Sequence, residues 1–196
     1  MSIRCEYNAE RNECSNCSHR IQTAVQLISS AFLTNRKLLV CGNGGSCSDS
    51  DHIVAEFIKT NIQKSSGGYI GFKAISLCSN SSVLTAVSND YGFDWIYAQQ
   101  IDALGDPGDI LLAISTSGNS KNVQLALQTA RTKGMHTIFL TGQLNHVEAP
   151  WDCTIQACGD STEEIQEKHI LIYHDLCKRV ISECANNQNV LPRGRQ

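Results

Sequence analysis

Lys37-Leu38-Leu39-Val40-Cys41-Gly42-Asn43-Gly44-Gly45-Ser46 is the stretch on which the fold turns. Residues 37–41 form a short apolar run that reads as a buried strand, and Gly42 to Ser46 breaks it. Ser48 or Asp49 can cap the helix that follows, which the pattern carries to about Gln63. Upstream, Ile21, Val25, Ile28 and Phe32 recur at helical spacing and predict a helix that stops near Asn35.

The same alternation continues downstream. Lys64 to Gly71 is a Ser/Gly-rich loop, Phe72 to Leu77 a second strand, and Ser81 to Val87 and Phe93 to Leu104 are helical patterns. Gly105-Asp106-Pro107-Gly108 is a turn before a third strand, Asp109 to Ile114. The polar loop Ser115 to Ser120 starts a helix reaching about Lys133. His136 to Leu140 and Cys153 to Ala157 are the fourth and fifth strands, and a long helix spans about Thr162 to Ala185. Such alternation predicts an α/β fold: a five-stranded parallel sheet flanked by helices on both faces, a Rossmann-like three-layer sandwich. One domain over 21–185 is expected, with a Cys-containing extension over 1–20 and a flexible tail over 186–196.

The bulk properties narrow the function. A chain of 196 residues fits one domain, and 41% hydrophobic with 18% charged residues is ordinary for a soluble globular protein. A net charge of -3 gives the fold as a whole no reason to seek nucleic acid or an anionic membrane. An anionic substrate would be held by local groups. No apolar segment approaches the ~20 residues of a membrane span, and the N-terminus has no signal-peptide core, so a cytoplasmic setting with reduced thiols is expected. Among the ten cysteines, Cys41, Cys78, Cys153 and Cys177 lie in or beside apolar runs and read as core residues. Cys14 and Cys17, with Cys5 upstream, are half of a zinc pattern without a second pair.

In open parallel sheets ligands bind beyond the carboxyl ends of the strands, which points to the loops after strands one and three. The first, Gly42 to Ser46, places glycines and a helix N-terminus where a backbone can approach an anion, although it is neither a dinucleotide fingerprint nor a P-loop. The second, Ser115-Thr116-Ser117-Gly118-Asn119-Ser120, is a neutral hydroxyl cup suited to a phosphate monoester. His52 and Glu56 stand four apart on one helical face, a spacing that serves a metal or an acid–base pair. Gln166, His169 and His174 interrupt an otherwise apolar last helix. Gln166 and His174 are about 12 Å apart along its axis and can meet one small ligand only by leaning together, with His169 able to replace either.

These residues carry a resemblance. CGNGGS (41–46), SDHIVAE (50–56), SNDYGF (88–93), ISTSGNS (114–120) and IQEKHILIYH (165–174) resemble phosphoheptose isomerases of the sugar isomerase (SIS) domain family, in unbroken order from about Ile21 to Glu183. The resemblance implies interconversion of sedoheptulose 7-phosphate and D-glycero-D-manno-heptose 7-phosphate through an enediol, for heptose biosynthesis. It implies substrate binding by Asn43, Gly44, Gly45, Ser46, Glu56, Asn89, Asp90, Ser115, Thr116, Ser117, Ser120 and Gln166. It also implies one zinc ion per subunit on His52, Glu56, Gln166 and His174, with Glu56 as general base and His174 as acid, in a homotetramer whose active sites lie at subunit interfaces. The chain departs from the family at Thr60 and Glu164, where Arg is common, and in a shortened 141–150 loop. Non-catalytic relatives that bind a replication initiator or sense sugar phosphates keep the loops but lack the acid–base pair. An isomerase of another ketose phosphate would keep both.

Overall fold

The computed structural model describes residues 7–8, 13–63, 69–142 and 150–187. Its strands are β1 (Leu38–Gly42), β2 (Ala74–Ser76), β3 (Ile110–Ser115), β4 (His136–Thr141) and β5 (Cys153–Gln156). Its helices are α1 (Ser15–Leu33), α2 (Gly45–Ile58), α3 (Ser81–Tyr91), α4 (Ala98–Leu104), α5 (Lys121–Thr132) and α6 (Thr162–Asn187). The strands form one five-stranded sheet, all parallel, in the order β2-β1-β3-β4-β5.

Alternation along the strands builds both faces. Leu38 and Val40 of β1 face one core with Ile28 of α1, Phe57 of α2 and Val180 of α6. Leu39 and Cys41 face the other with Ile101 of α4 and Leu127 of α5. Strands buried on both sides read as continuous apolar runs, which is why β1, β3 and β4 were legible. The order reverses direction between β1 and β3, so the crevice at their carboxyl ends is the topological switch point.

Five boundaries differ from expectation. Helix α2 begins at Gly45, with Gly44 at φ 57 as the preceding residue and no side-chain cap, so neither Ser48 nor Asp49 caps it. It ends at Ile58; Asn61–Gln63 then pairs with Tyr69–Gly71 as an antiparallel hairpin that lays Ile62 into the core beside Phe32, Phe57 and Phe72. The 93–104 pattern divides into a 3-10 turn (Phe93–Trp95) and α4. Helix α1 already begins at Ser15, so residues 15–20 of the expected extension are helical, and α6 runs on to Asn187. Residues 188–196 of the expected tail, Cys5, and residues 143–149 of the shortened loop lie outside the described residues, as do the side chains of Cys14 and Cys17.

Cys41, Cys78, Cys153 and Cys177 are buried free thiols, as expected, and burial pushes Cys153 up to about 11 and Cys177 up to about 12. The Cys153 and Cys177 thiols therefore stay protonated at neutral pH. Among the described residues no helix is long and apolar enough to cross a membrane.

His169 is fully buried where α6 meets the end of β4, and neither ring nitrogen has a hydrogen-bond partner of good geometry. Desolvation lowers its pKa to about 4, with the Thr141 backbone opposing the shift. An unfolded imidazole titrates near ~6.5, so between that pH and about 4 the unfolded chain binds more protons than the folded one. Stability therefore falls as the pH drops through this window, by about 3 kcal/mol at its foot. Urea midpoints at pH 7 and pH 4.5 should separate more widely for the native protein than for His169→Leu. Equal separations would show that His169 is not the titrating group.

Candidate active site

Helices α2 and α6 pack against each other, and facing side chains converge between them. His52 and Glu56 of α2 meet His174 of α6, with one candidate ligand atom from each residue lying within 4.8 Å of the others. The His52 and His174 rings are 5.0 Å apart, edge to face, and His52 Nε2 stands 3.5 Å from Glu56 Oε1. Lys59, one turn on, forms an ion pair with the same Oε1. That ammonium hydrogen bond is the main reason the Glu56 carboxyl sits below its usual range; Lys59, His52 and His174 charges add to it and burial opposes it. Glu56 is thus held as a carboxylate, and among the described residues its ion pairs engage Oε1. At Thr60, the departure from the family, the hydroxyl donates to the Glu56 carbonyl at 2.9 Å, so Lys59 is the cation beside the site.

The donor set suits a divalent cation with nitrogen and oxygen ligands. Ligands ~2.1 Å from zinc stand ~3.4 Å apart at tetrahedral angles, so the 4.8 Å spread closes with small rotamer changes. Gln166 is half-buried on α6, two turns before His174, with its amide against the Gly45 backbone. The residue that sequence offered as an alternative, His169, points into the core and does not join the cluster.

Both loops are prefolded. Asn43 and Asn122 exchange side-chain hydrogen bonds, each 2.8 Å long, which tie the glycine loop to the first turn of α5. Each amide keeps one further N–H. The Tyr97 hydroxyl donates to the Gly42 carbonyl below them. Gly44 and Gly45 are exposed, and Ser46 is buried. In the second loop Ser115 and Ser120 hydroxyls stand 3.1 Å apart, Ser117 Oγ accepts from Asn119 N, and the Thr116 carbonyl accepts from Gly142 N. Gly118 turns the loop at φ 69, and Ser120 makes no side-chain cap to α5.

Asn89 and Asp90 lie elsewhere. They sit exposed at the end of α3, Asn89 donating to Asp90 at 2.8 Å, and among the described residues no hydrogen bond ties them to either loop or to the cluster. Glu164, the second departure, serves the start of α6: its Oε2 accepts from Asp160 N while its own N–H donates to Ser161.

Three residues at the site were not singled out from sequence. Asn122 shares the α5 stripe with Ala126 and Ala130, and Tyr173 shares the α6 stripe with Cys177 and Val180; a polar group on a buried stripe is the signal that could have found them. Asp49 was read only as a helix cap.

A parallel sheet with a hydroxyl loop after its third strand and a His–Glu–His cluster between α2 and α6 fits a sugar-isomerase-type domain, and residues 10–142 match the SIS domain family model. The phosphoheptose isomerase of Bordetella avium is 44% identical over 164 residues, covering 82% of this chain and 81% of that protein. The structure of phosphoheptose isomerase from Neisseria gonorrhoeae superimposes with a TM-score of 0.75 at 36% identity, over 84% of this chain and 86% of that one. The enzyme from Francisella tularensis gives 0.74 at 34% identity, over 84% and 85%. The chain belongs to the phosphoheptose isomerase family.

Proposed function

We infer that this chain is an aldose–ketose isomerase acting on sedoheptulose 7-phosphate, the substrate class of the family to which it belongs. The observation that carries the reading is the convergence of Glu56 and His174 from different helices. Phosphate-binding or partner-binding relatives need only the loops; a carboxylate and an imidazole facing one another are what proton transfer between C1 and C2 requires. We assign Glu56 as the base that takes the carbon-bound proton and His174 as the acid that manages the oxygen protons. The depressed carboxyl of Glu56 keeps it in the basic form at neutral pH. Ser115, Thr116, Ser117 and Ser120 accept the phosphate at the start of α5, where hydroxyls and helix N–H groups donate. Asn43, Gly44, Gly45 and Ser46 line the sugar, the free N–H of Asn43 donating to a substrate oxygen.

The zinc reading belongs to the same proposal. His52, Glu56 and His174 would hold the ion, with Gln166 as the fourth ligand after its amide swings from Gly45. When bound, zinc supplies Lewis-acid polarisation of the substrate carbonyl.

A homotetramer with interface active sites would account for α3. No residue of that helix is buried, and Tyr91 and Phe93 at its end are 63% and 56% exposed. Asn89 and Asp90 would then be delivered to a neighbouring subunit's site. A cytoplasmic role in heptose biosynthesis completes the proposal.

Incubation of purified, metal-analysed protein with sedoheptulose 7-phosphate, followed by NMR, should show the aldose product. Absence of turnover with and without added zinc, despite sugar-phosphate binding, would move the assignment to another ketose phosphate or to sensing.

A further inference from the structure

Between the loops that follow β1 and β3, two side chains form a closed amide pair whose buried half has no role in the chemistry above. Asn43 leaves β1 in the glycine loop and is half-buried, whereas Asn122 stands on the first turn of α5, two residues after Ser120, and is 2% exposed. Asn43 Nδ2 donates to Asn122 Oδ1, and Asn122 Nδ2 donates to Asn43 Oδ1, each at 2.8 Å. Asn122 Oδ1 also accepts from the Val123 backbone N–H at 3.0 Å. The Tyr97 hydroxyl, which donates to the Gly42 carbonyl, stands 3.2 Å from Asn43 Oδ1. The pair therefore joins the loop assigned to the sugar with the helix that begins at the phosphate loop.

A backbone donor decides which way both amides face. An N–H can only donate, so the Asn122 atom beside Val123 N is its oxygen, and its nitrogen is the atom left to turn to Asn43. That nitrogen requires an acceptor, which sets Asn43 Oδ1 against it and Asn43 Nδ2 against Asn122 Oδ1. Orientation thus passes from the Val123 N–H through Asn122 to Asn43. A primary amide carries two N–H protons, and the pair engages one of those on Asn43. We propose that Asn122 is a positioning residue: it fixes the Asn43 amide so that the second N–H faces away from the pair, as the donor to a sugar oxygen. The donor role of Asn43 rests on the function proposed above; the orientation of its amide does not.

Asn122→Asp is nearly isosteric and keeps the acceptor for Val123 N–H, but at mildly alkaline pH it sets a carboxylate oxygen where the donor stood. Whichever way Asn43 then turns, one oxygen faces another, so the pair opens and the Asn43 amide loses its fixed orientation. The KM for sedoheptulose 7-phosphate should rise about 10-fold, the worth of one hydrogen bond, with kcat within about threefold of native. A purely structural role would instead lower kcat with the folded fraction and leave KM unchanged; that result overturns the proposal. In 1H–15N spectra of the native chain, the Asn43 side-chain amide, assigned by its loss in Asn43→Ser, should show one proton protected from exchange with water. Its other proton should shift on addition of sedoheptulose 7-phosphate. Two freely exchanging Asn43 protons in the native chain, or an Asn43 signal unchanged in Asn122→Asp, also overturn the proposal. A native chain without turnover whose Asn43 proton loses its protection in Asn122→Asp supports the positioning role and rejects the isomerase reading alone. Should Asn122→Asp not fold, Asn122→Ser, too short to reach Asn43, reads the same KM and the same protection.

Discussion

Glu56→Gln should lower the turnover of sedoheptulose 7-phosphate by about 10³-fold or more, because a positioned general base contributes roughly 10²–10⁴-fold and an amide cannot take the carbon-bound proton. The substitution is nearly isosteric. Glu56 is partly buried, and its partners are the exposed Lys59 and His52, so losing its charge leaves no unpaired ion in the core. Folding should therefore survive, as should phosphate binding at Ser115–Ser120, which lies on β3 and α5 rather than on α2. Circular dichroism and sugar-phosphate titration would establish both points before kinetics are read. Turnover within tenfold of the native protein would remove Glu56 from the role of base.

Gly42→Ala should be damaging despite its small size. A Cβ at Gly42 would stand 2.7 Å from both the Cβ and the carbonyl oxygen of Ser46, and 2.9 Å from its carbonyl carbon. The obstacle is the backbone of the first turn of α2, with no flexible side-chain end to give way. Overpacking of this kind costs about 1–3 kcal/mol, and relief requires α2 to move away from β1. His52 and Glu56 ride on that helix, so activity should fall along with stability. Gly44→Ala provides the contrast: a Cβ there meets nothing within 4 Å, and its cost arises from φ 57 alone. Urea unfolding and turnover of the two variants distinguish the cases. A Gly42→Ala protein as stable and active as the native one would mean that the close approach of β1 to α2 is relaxed in solution.

The sequence legible from Lys37 to Ser46 was enough to place a buried strand against a glycine turn and a helix, because a strand covered on both faces must be apolar throughout. All five strands of the sheet and the long α6 were read in this way, as were the two loops at the switch point. Local pattern was less reliable where a tertiary contact overrode it. The 61–63 segment follows a helix and continues its polar pattern, yet burial of Ile62 beside three phenylalanines draws it into a hairpin. Gly44 at positive φ starts α2 upstream of the side chains that could have capped it.

The chemistry divides along the same line. Spacing alone put His52 and Glu56 on one face of one helix, and sequence alone supplied the hydroxyls of 115–120. The family resemblance then pointed to His174. Only the crossing of α2 and α6 brings His174 to that pair while turning His169 into the core, since the angle between two helices depends on packing that no single helix encodes. The partners Asn122, Tyr173 and Asp49 likewise emerge only in three dimensions. Asn122 and Tyr173 meet their polar partners across elements distant in sequence, and a one-dimensional pattern records that such a group is buried but not what it meets.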